Sequence, residues 1–166
     1  NFIALIEAVE KLNLENFNAN YDENIRNLNA KKKSLIDNMK VSVDWSVANI
    51  SSTLQFIDTI LGVTPSNQYL TRDYEIYLSA QKPSLKNETE LLFWVANTAY
   101  QKLKEKYDQN NKQEDILELY SDLLSLTEDM VRLSDKMVSV LENSVVSQTL
   151  TESRLNGFTA TMKSYQ

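Results

Sequence analysis

Ile25, Leu28, Lys32, Ile36, Met39, Val43, Val47, Ile50, Leu54, Ile57 and Leu61 follow one another three or four residues apart, and ten of these eleven are apolar. Residues so spaced share one face of one long helix. A second run, Ile116, Leu119, Leu123, Leu126, Met130, Leu133, Met137 and Val140, keeps a seven-residue repeat without a polar interruption. Gly62, Pro65 and Pro83 lie between the two runs, and only Gly157 falls elsewhere. Two Gly and two Pro in 166 residues sit far below the usual ~7% and ~5%, which excludes a fold of many tight turns. The chain therefore reads as all-α.

Local signals divide it further. Phe2, Leu5, Ile6, Val9 and Leu12 form an amphipathic start. Asn13, Asn16, Asn18, Asn20, Asn24, Asn27 and Asn29 follow, and Asn competes with helical hydrogen bonds through its own side chain. Two forms satisfy this stretch: one helix from Phe2 to Leu61, or two helices broken near Asn18 to Asp22. Gly62 stands where a helix C-cap belongs, and Thr64-Pro65 supplies an N-cap hydroxyl followed by a proline at the first helical position. A second helix is expected over Pro65 to Ala80, with Leu70, Tyr74, Tyr77 and Leu78 on one face.

Pro83 breaks or kinks the chain next. Asn87 and Glu90 read as a capping box, opening a third helix over Glu88 to Asp108 with Leu92, Ala96, Ala99, Leu103 and Tyr107 inward. Its Leu91-Leu92-Phe93-Trp94-Val95 stretch is apolar nearly all round and is expected deepest in the core. Residues 108–113 read as a loop, and a last helix runs from Gln113 past Asn143. Beyond Val140, Ser144, Ser147 and Thr151 occupy the seam, and the end of the chain is expected to fray or to meet a partner. The expected architecture is one domain over residues 1–166: an elongated antiparallel up-down four-helix bundle with two long outer and two shorter middle helices. A three-helix bundle kinked at Pro83 is the alternative. Short connections make neighbours antiparallel, so both chain ends are expected at one end of the bundle.

Composition removes most chemistry. There is no histidine and no cysteine, so Ser-His-Asp and Cys-His arrangements, zinc-thiolate sites and haem or di-iron histidine ligation are all absent. The isolated glycines make no phosphate-cradling loop. A net charge of −6, with clustered cations only at Lys31, Lys32 and Lys33, argues against a nucleic-acid partner. Glu118 and Asp122 share a helix face, as a hard cation would require, but they sit with Glu114 and Asp115 in what reads as an ordinary solvated acidic turn. No catalytic residue, metal site or cofactor is expected.

What remains is binding. Arg72 lies among Tyr69, Tyr74, Tyr77 and Trp94, and a guanidinium between aromatic rings can hold a small carboxylate or a partner protein through its bidentate fork. These five residues are the expected ligand site. The long-short-short-long plan is similar to that of the extracytoplasmic four-helix sensor modules of bacterial chemoreceptors and sensor kinases, a likeness of plan that no motif supports. That likeness implies an extracytoplasmic (periplasmic) ligand-sensing module, paired as a homodimer through its long helices and reaching a membrane only through flanking segments. The start at Asn1 without Met agrees with lost transmembrane flanks. A protein-protein interaction bundle, such as an adaptor, immunity protein or toxin-like helical protein, is the second expectation.

Overall fold

The structure is a computed structural model that describes residues 2–109 and 116–165, all helix and turn with no strand among them. Among these described residues five α-helices follow in order: α1 (Phe2–Leu61), α2 (Gln68–Thr71), α3 (Ser84–Gln109), α4 (Ile116–Glu142) and α5 (Glu152–Ser164). A single 3-10 turn, Glu75–Tyr77, separates α2 from α3. The chain forms two units, Asn1–Val41 and Ser42–Gln166. No helix among the described residues is long and apolar enough to cross a membrane.

The unbroken form of α1 is the one adopted. No residue from Phe2 to Leu61 is Gly or Pro, and each Asn costs at most about 0.7 kcal/mol relative to Ala, too little to break a helix alone. In the first unit α1 stands as a helix without a single buried residue. In the second unit the stripe becomes core, with Val43, Val47, Ile50, Leu54, Ile57 and Leu61 all buried.

Gly62 closes α1 as expected. Its φ of +66° is left-handed, and its N–H donates to the Asp58 carbonyl at 2.7 Å. Past it, however, the Pro65 to Ala80 helix does not form beyond the single turn of α2. The Thr64 hydroxyl donates to Asp58 Oδ2 at 2.5 Å instead of capping a new helix. Further on, the backbone is drawn into pairing with a distant segment: Val145 N–H donates to the Tyr77 carbonyl, and Gln81 N–H to the Asn143 carbonyl. Ser79, at φ +52°, donates its N–H to Ser144 Oγ. Long-range bonds replace helical ones, while Thr71, Tyr74 and Leu78 keep their helix-like spacing and are buried; Leu70 is exposed.

The middle of the chain departs from expectation in two further ways. Pro83 breaks the chain as expected, but α3 begins directly after it at Ser84, ahead of the expected start at Glu88, and Asn87 lies inside the first turn with no capping box. The inward face is Leu85, Thr89, Phe93, Ala96, Tyr100 and Leu103, which leaves Leu91, Trp94 and Val95 exposed. The expectation that this stretch lies deepest fails because one face of α3 suffices for packing and the rest of the turn stays in water. Ion pairs from Lys106 to Glu118 and Asp122, and from Lys136 to Glu88, fix α3 and α4 as antiparallel.

All eight residues of the α4 seam are buried. The helix stops at Glu142, and the expected frayed end is instead a turn and a fifth helix. Ser144 is buried, accepting from Ser79 N–H and donating to the Val140 carbonyl. Ser147 Oγ accepts from Leu150 N–H, and Thr151 caps α5 by accepting from Arg154 N–H. The polar seam residues thus satisfy backbone groups within the chain, which is what Ser and Thr do at helix ends. The expected start of the last helix at Gln113, most of the expected loop and the acids Glu114 and Asp115 lie outside the described residues.

Candidate functional site

The expected ligand residues are not gathered around Arg72. Arg72 is the exposed C-cap residue of α2, and its side chain makes no hydrogen bond, ion pair or ring contact among the described residues. Tyr69 is exposed, Tyr77 is half-buried, and Trp94, also exposed, meets Phe93 edge-on at 5.7 Å. Tyr74 is fully buried, its hydroxyl 3.2 Å from the carbonyls of both Thr59 and Ile60. Those carbonyls belong to the last turn of α1, where no helical donor follows. Burial pushes the Tyr74 hydroxyl above its usual ionisation range, and the nearby Arg154 partly offsets this.

The arginine on the aromatic rings is Arg154. Its guanidinium lies 4.3 Å from the Tyr74 ring centre and 5.4 Å from that of Phe158, within cation–π range. Phe158 in turn meets Phe56 edge-on at 6.1 Å, and Tyr165 lies 5.9 Å from Phe56. This cluster ties α5 to the end of α1. Arg154 and Tyr74 are eighty positions apart in the sequence, so no local spacing could reveal the pair.

Beside Tyr165 opens a cleft of about 260 Å³ whose walls include Trp45, Ile50, Met130 and Val131. Its lining is mostly apolar, with Ser46, Asn49 and Ser134 offering hydrogen bonds. A second cleft of about 280 Å³ lies between α1 and α3, bordered by Gln55, Asn97, Gln101 and Lys104. Neither is lined by Arg72 or its expected companions. Glu118 and Asp122 are both bridged by the Lys106 ammonium at 2.7 Å, which raises that amine's ionisation range and occupies the acids. No group of three acidic side chains able to hold a metal occurs among the described residues.

The larger anomaly is in the first unit. Among the described residues, 13 of the 26 large exposed apolar side chains belong to residues 2–41, so half of the exposed apolar surface chains come from a quarter of the sequence. Phe2 is 77% exposed, Phe17 66% and Leu28 61%. Scattered exposed apolar residues need no explanation, but a contiguous stripe marks a site of association. No known protein family, curated protein or solved structure matches the chain.

Proposed function

We propose that this chain is a non-enzymatic helical binding domain that works by helix pairing, the first unit of α1 presenting an apolar stripe to a partner helix while the second unit acts as the folded body. The observation that carries the reading is that no described residue before Val43 is buried although three-four apolar spacing continues through it. A helix of this kind is marginal in water without a packed face, so its stripe calls for a partner. The lack of His and Cys supports a non-catalytic role. In this reading the body is an antiparallel four-helix arrangement of residues 42–61, α3, α4 and α5.

The test is a comparison of three truncations in dilute, dissociating conditions. Leu54→Ala, at a buried position, should cost about 2–5 kcal/mol, whereas Leu14→Ala and Leu28→Ala should stay within about 0.5 kcal/mol. A core-sized loss at Leu14 or Leu28 in the dilute monomer would mean that the stripe packs within its own chain, and the reading fails.

A ligand-sensing module of a bacterial membrane receptor is the second reading, and the apolar cleft beside Trp45 and Tyr165 supports it. Titration of amino acids and small carboxylates, followed by Trp45 fluorescence in a Trp94→Phe background, should then give a saturable change. A flat response across such a panel sets that reading aside.

A further inference from the structure

We infer that the partner of the exposed stripe is a second copy of the same segment, running antiparallel about a two-fold axis at Tyr21. The inference rests on the helix-pairing reading above and adds the partner's identity, direction and register. The stripe of the first unit is Ile3, Ile6, Glu10, Leu14, Phe17, Tyr21, Ile25, Leu28, Lys32, Ile36 and Met39, and Phe2, Leu5, Val9 and Leu12 share a second exposed face outside it. Its spacing is 3-4-4, an eleven-residue repeat of about 3.67 residues per turn, so the seam stays on one face of a nearly straight helix.

That spacing reads the same in both directions. Reversing one copy about Tyr21 therefore sets every stripe position against a stripe position. Ile3 faces Met39, Ile6 faces Ile36, Leu14 faces Leu28, Phe17 faces Ile25, and Tyr21 faces itself. The two charged interruptions, Glu10 and Lys32, fall opposite each other. Both are exposed in the single chain. In a parallel, in-register pair the same residues would place Glu10 on Glu10 and Lys32 on Lys32, a juxtaposition of like charges that association avoids.

The flanking charges agree with the direction. Residues 2–20 carry Glu7, Glu10 and Glu15 against Lys11, a net of −2. Residues 22–40 carry Arg26, Lys31, Lys32, Lys33 and Lys40 against Asp22, Glu23 and Asp37, a net of +2. An antiparallel pair lays each acidic half on a basic one. The area is also sufficient. Nine stripe residues are apolar, and at roughly 60–120 Å² removed from water for each they cover about 800 Å² per partner, the standard size of a stable interface.

The full chain tests this. Sedimentation equilibrium should show a reversible species of twice 19.1 kDa. Glu10→Lys and Lys32→Glu should each weaken it at least about tenfold, because symmetry repeats the like-charge contact in two layers, and the double variant should recover to within about threefold. The chain has no cysteine, so single introductions are unambiguous. Under diamide, Tyr21→Cys should cross-link to a dimer, Leu28→Cys alone should not, and Leu14→Cys with Leu28→Cys should. Unchanged urea midpoints followed by the fluorescence of Trp45 and Trp94, both in the second unit, certify that each variant is folded.

A chain that stays at 19.1 kDa at every attainable concentration overturns the inference, as does cross-linking through Leu28→Cys alone or a double charge swap that fails to recover. If the chain is monomeric and Leu28→Ala leaves its stability unchanged, only the second-copy assignment falls. If Leu28→Ala destabilises the monomer, the helix-pairing reading falls with it.

Discussion

Asp58 is the residue whose removal should unsettle the largest stretch of the second unit for one small change. It is buried near the end of α1, and its carboxylate accepts from Thr64 N–H at 2.8 Å, from the Thr64 hydroxyl at 2.5 Å and from Asn67 Nδ2 at 2.7 Å. One side chain thereby fixes the turn that carries the chain from α1 to α2. Hydrogen bonds to a charged acceptor are worth about 1.5–3 kcal/mol each, which sets a ceiling near 9 kcal/mol for Asp58→Ala. Thr64 and Asn67 are only half-buried, so water can reach their donors once the carboxylate is gone, and three bonds to one group are not additive. The expected loss is about 3–5 kcal/mol.

Urea unfolding followed by circular dichroism measures it. Thr64→Val, which removes the hydroxyl alone, should cost about 1–2 kcal/mol, and the double variant should lose less than the sum of the two. A loss below about 1 kcal/mol for Asp58→Ala, or strict additivity with Thr64→Val, would refute the view that this carboxylate organises the turn.

Other consequences of the same geometry can be checked alongside. Gly62→Ala should cost more than about 2 kcal/mol in urea unfolding, because φ is left-handed and the added methyl would overlap the buried Thr71 hydroxyl; a neutral result would contradict the cap. Ser144→Ala should cost about 1–3 kcal/mol by leaving the buried Ser79 N–H without its acceptor, and a loss inside the surface range would remove that link between the two segments. The Tyr74 hydroxyl ionises at a higher pH in the folded chain than its usual 10.0. Its contribution is therefore complete below that pH and declines as pH rises through the folded value, since the unfolded chain releases the proton first. Tyr107, raised by its bond to Asp44, adds to the alkaline loss, so Tyr74→Phe should make the decline shallower without abolishing it. Parallel alkaline curves for parent and variant would count against the buried hydroxyl.

Where one strong local pattern governs an element, the sequence reveals it. The heptad of α4 identifies every one of its buried seam residues, and Leu61-Gly62 marks the end of α1 to the residue. Where distant backbone decides, spacing misleads. Residues 77–81 have helical periodicity but pair with residues 143–145, and nothing near either segment announces the other. α5 escapes notice because only Met162 on it is buried, although Thr151 with Leu155, Phe158 and Met162 at helical spacing is a signal that could have found it.

The candidate site divides in the same way. An arginine among aromatic rings is present, but it is Arg154 on Tyr74 and Phe158, assembled by the return of α5 and not by the neighbourhood of Arg72. From Ile25 onward the stripe is legible as a pattern, whereas before it the spacing of Phe2, Leu5, Val9 and Leu12 points to another face, and in neither stretch is burial legible. Periodicity says which residues share a face and is silent about whether that face is covered by the same chain.

The most direct measurement of that distinction is amide hydrogen exchange along α1 over a range of protein concentrations. Protection from Val43 to Leu61 should be high and unaffected by dilution. Protection from residue 2 to residue 41 should be low in dilute solution and rise with concentration as the stripe finds its partner. Equal protection along the whole helix at every concentration would contradict it, because the first 41 residues would then be held by their own chain.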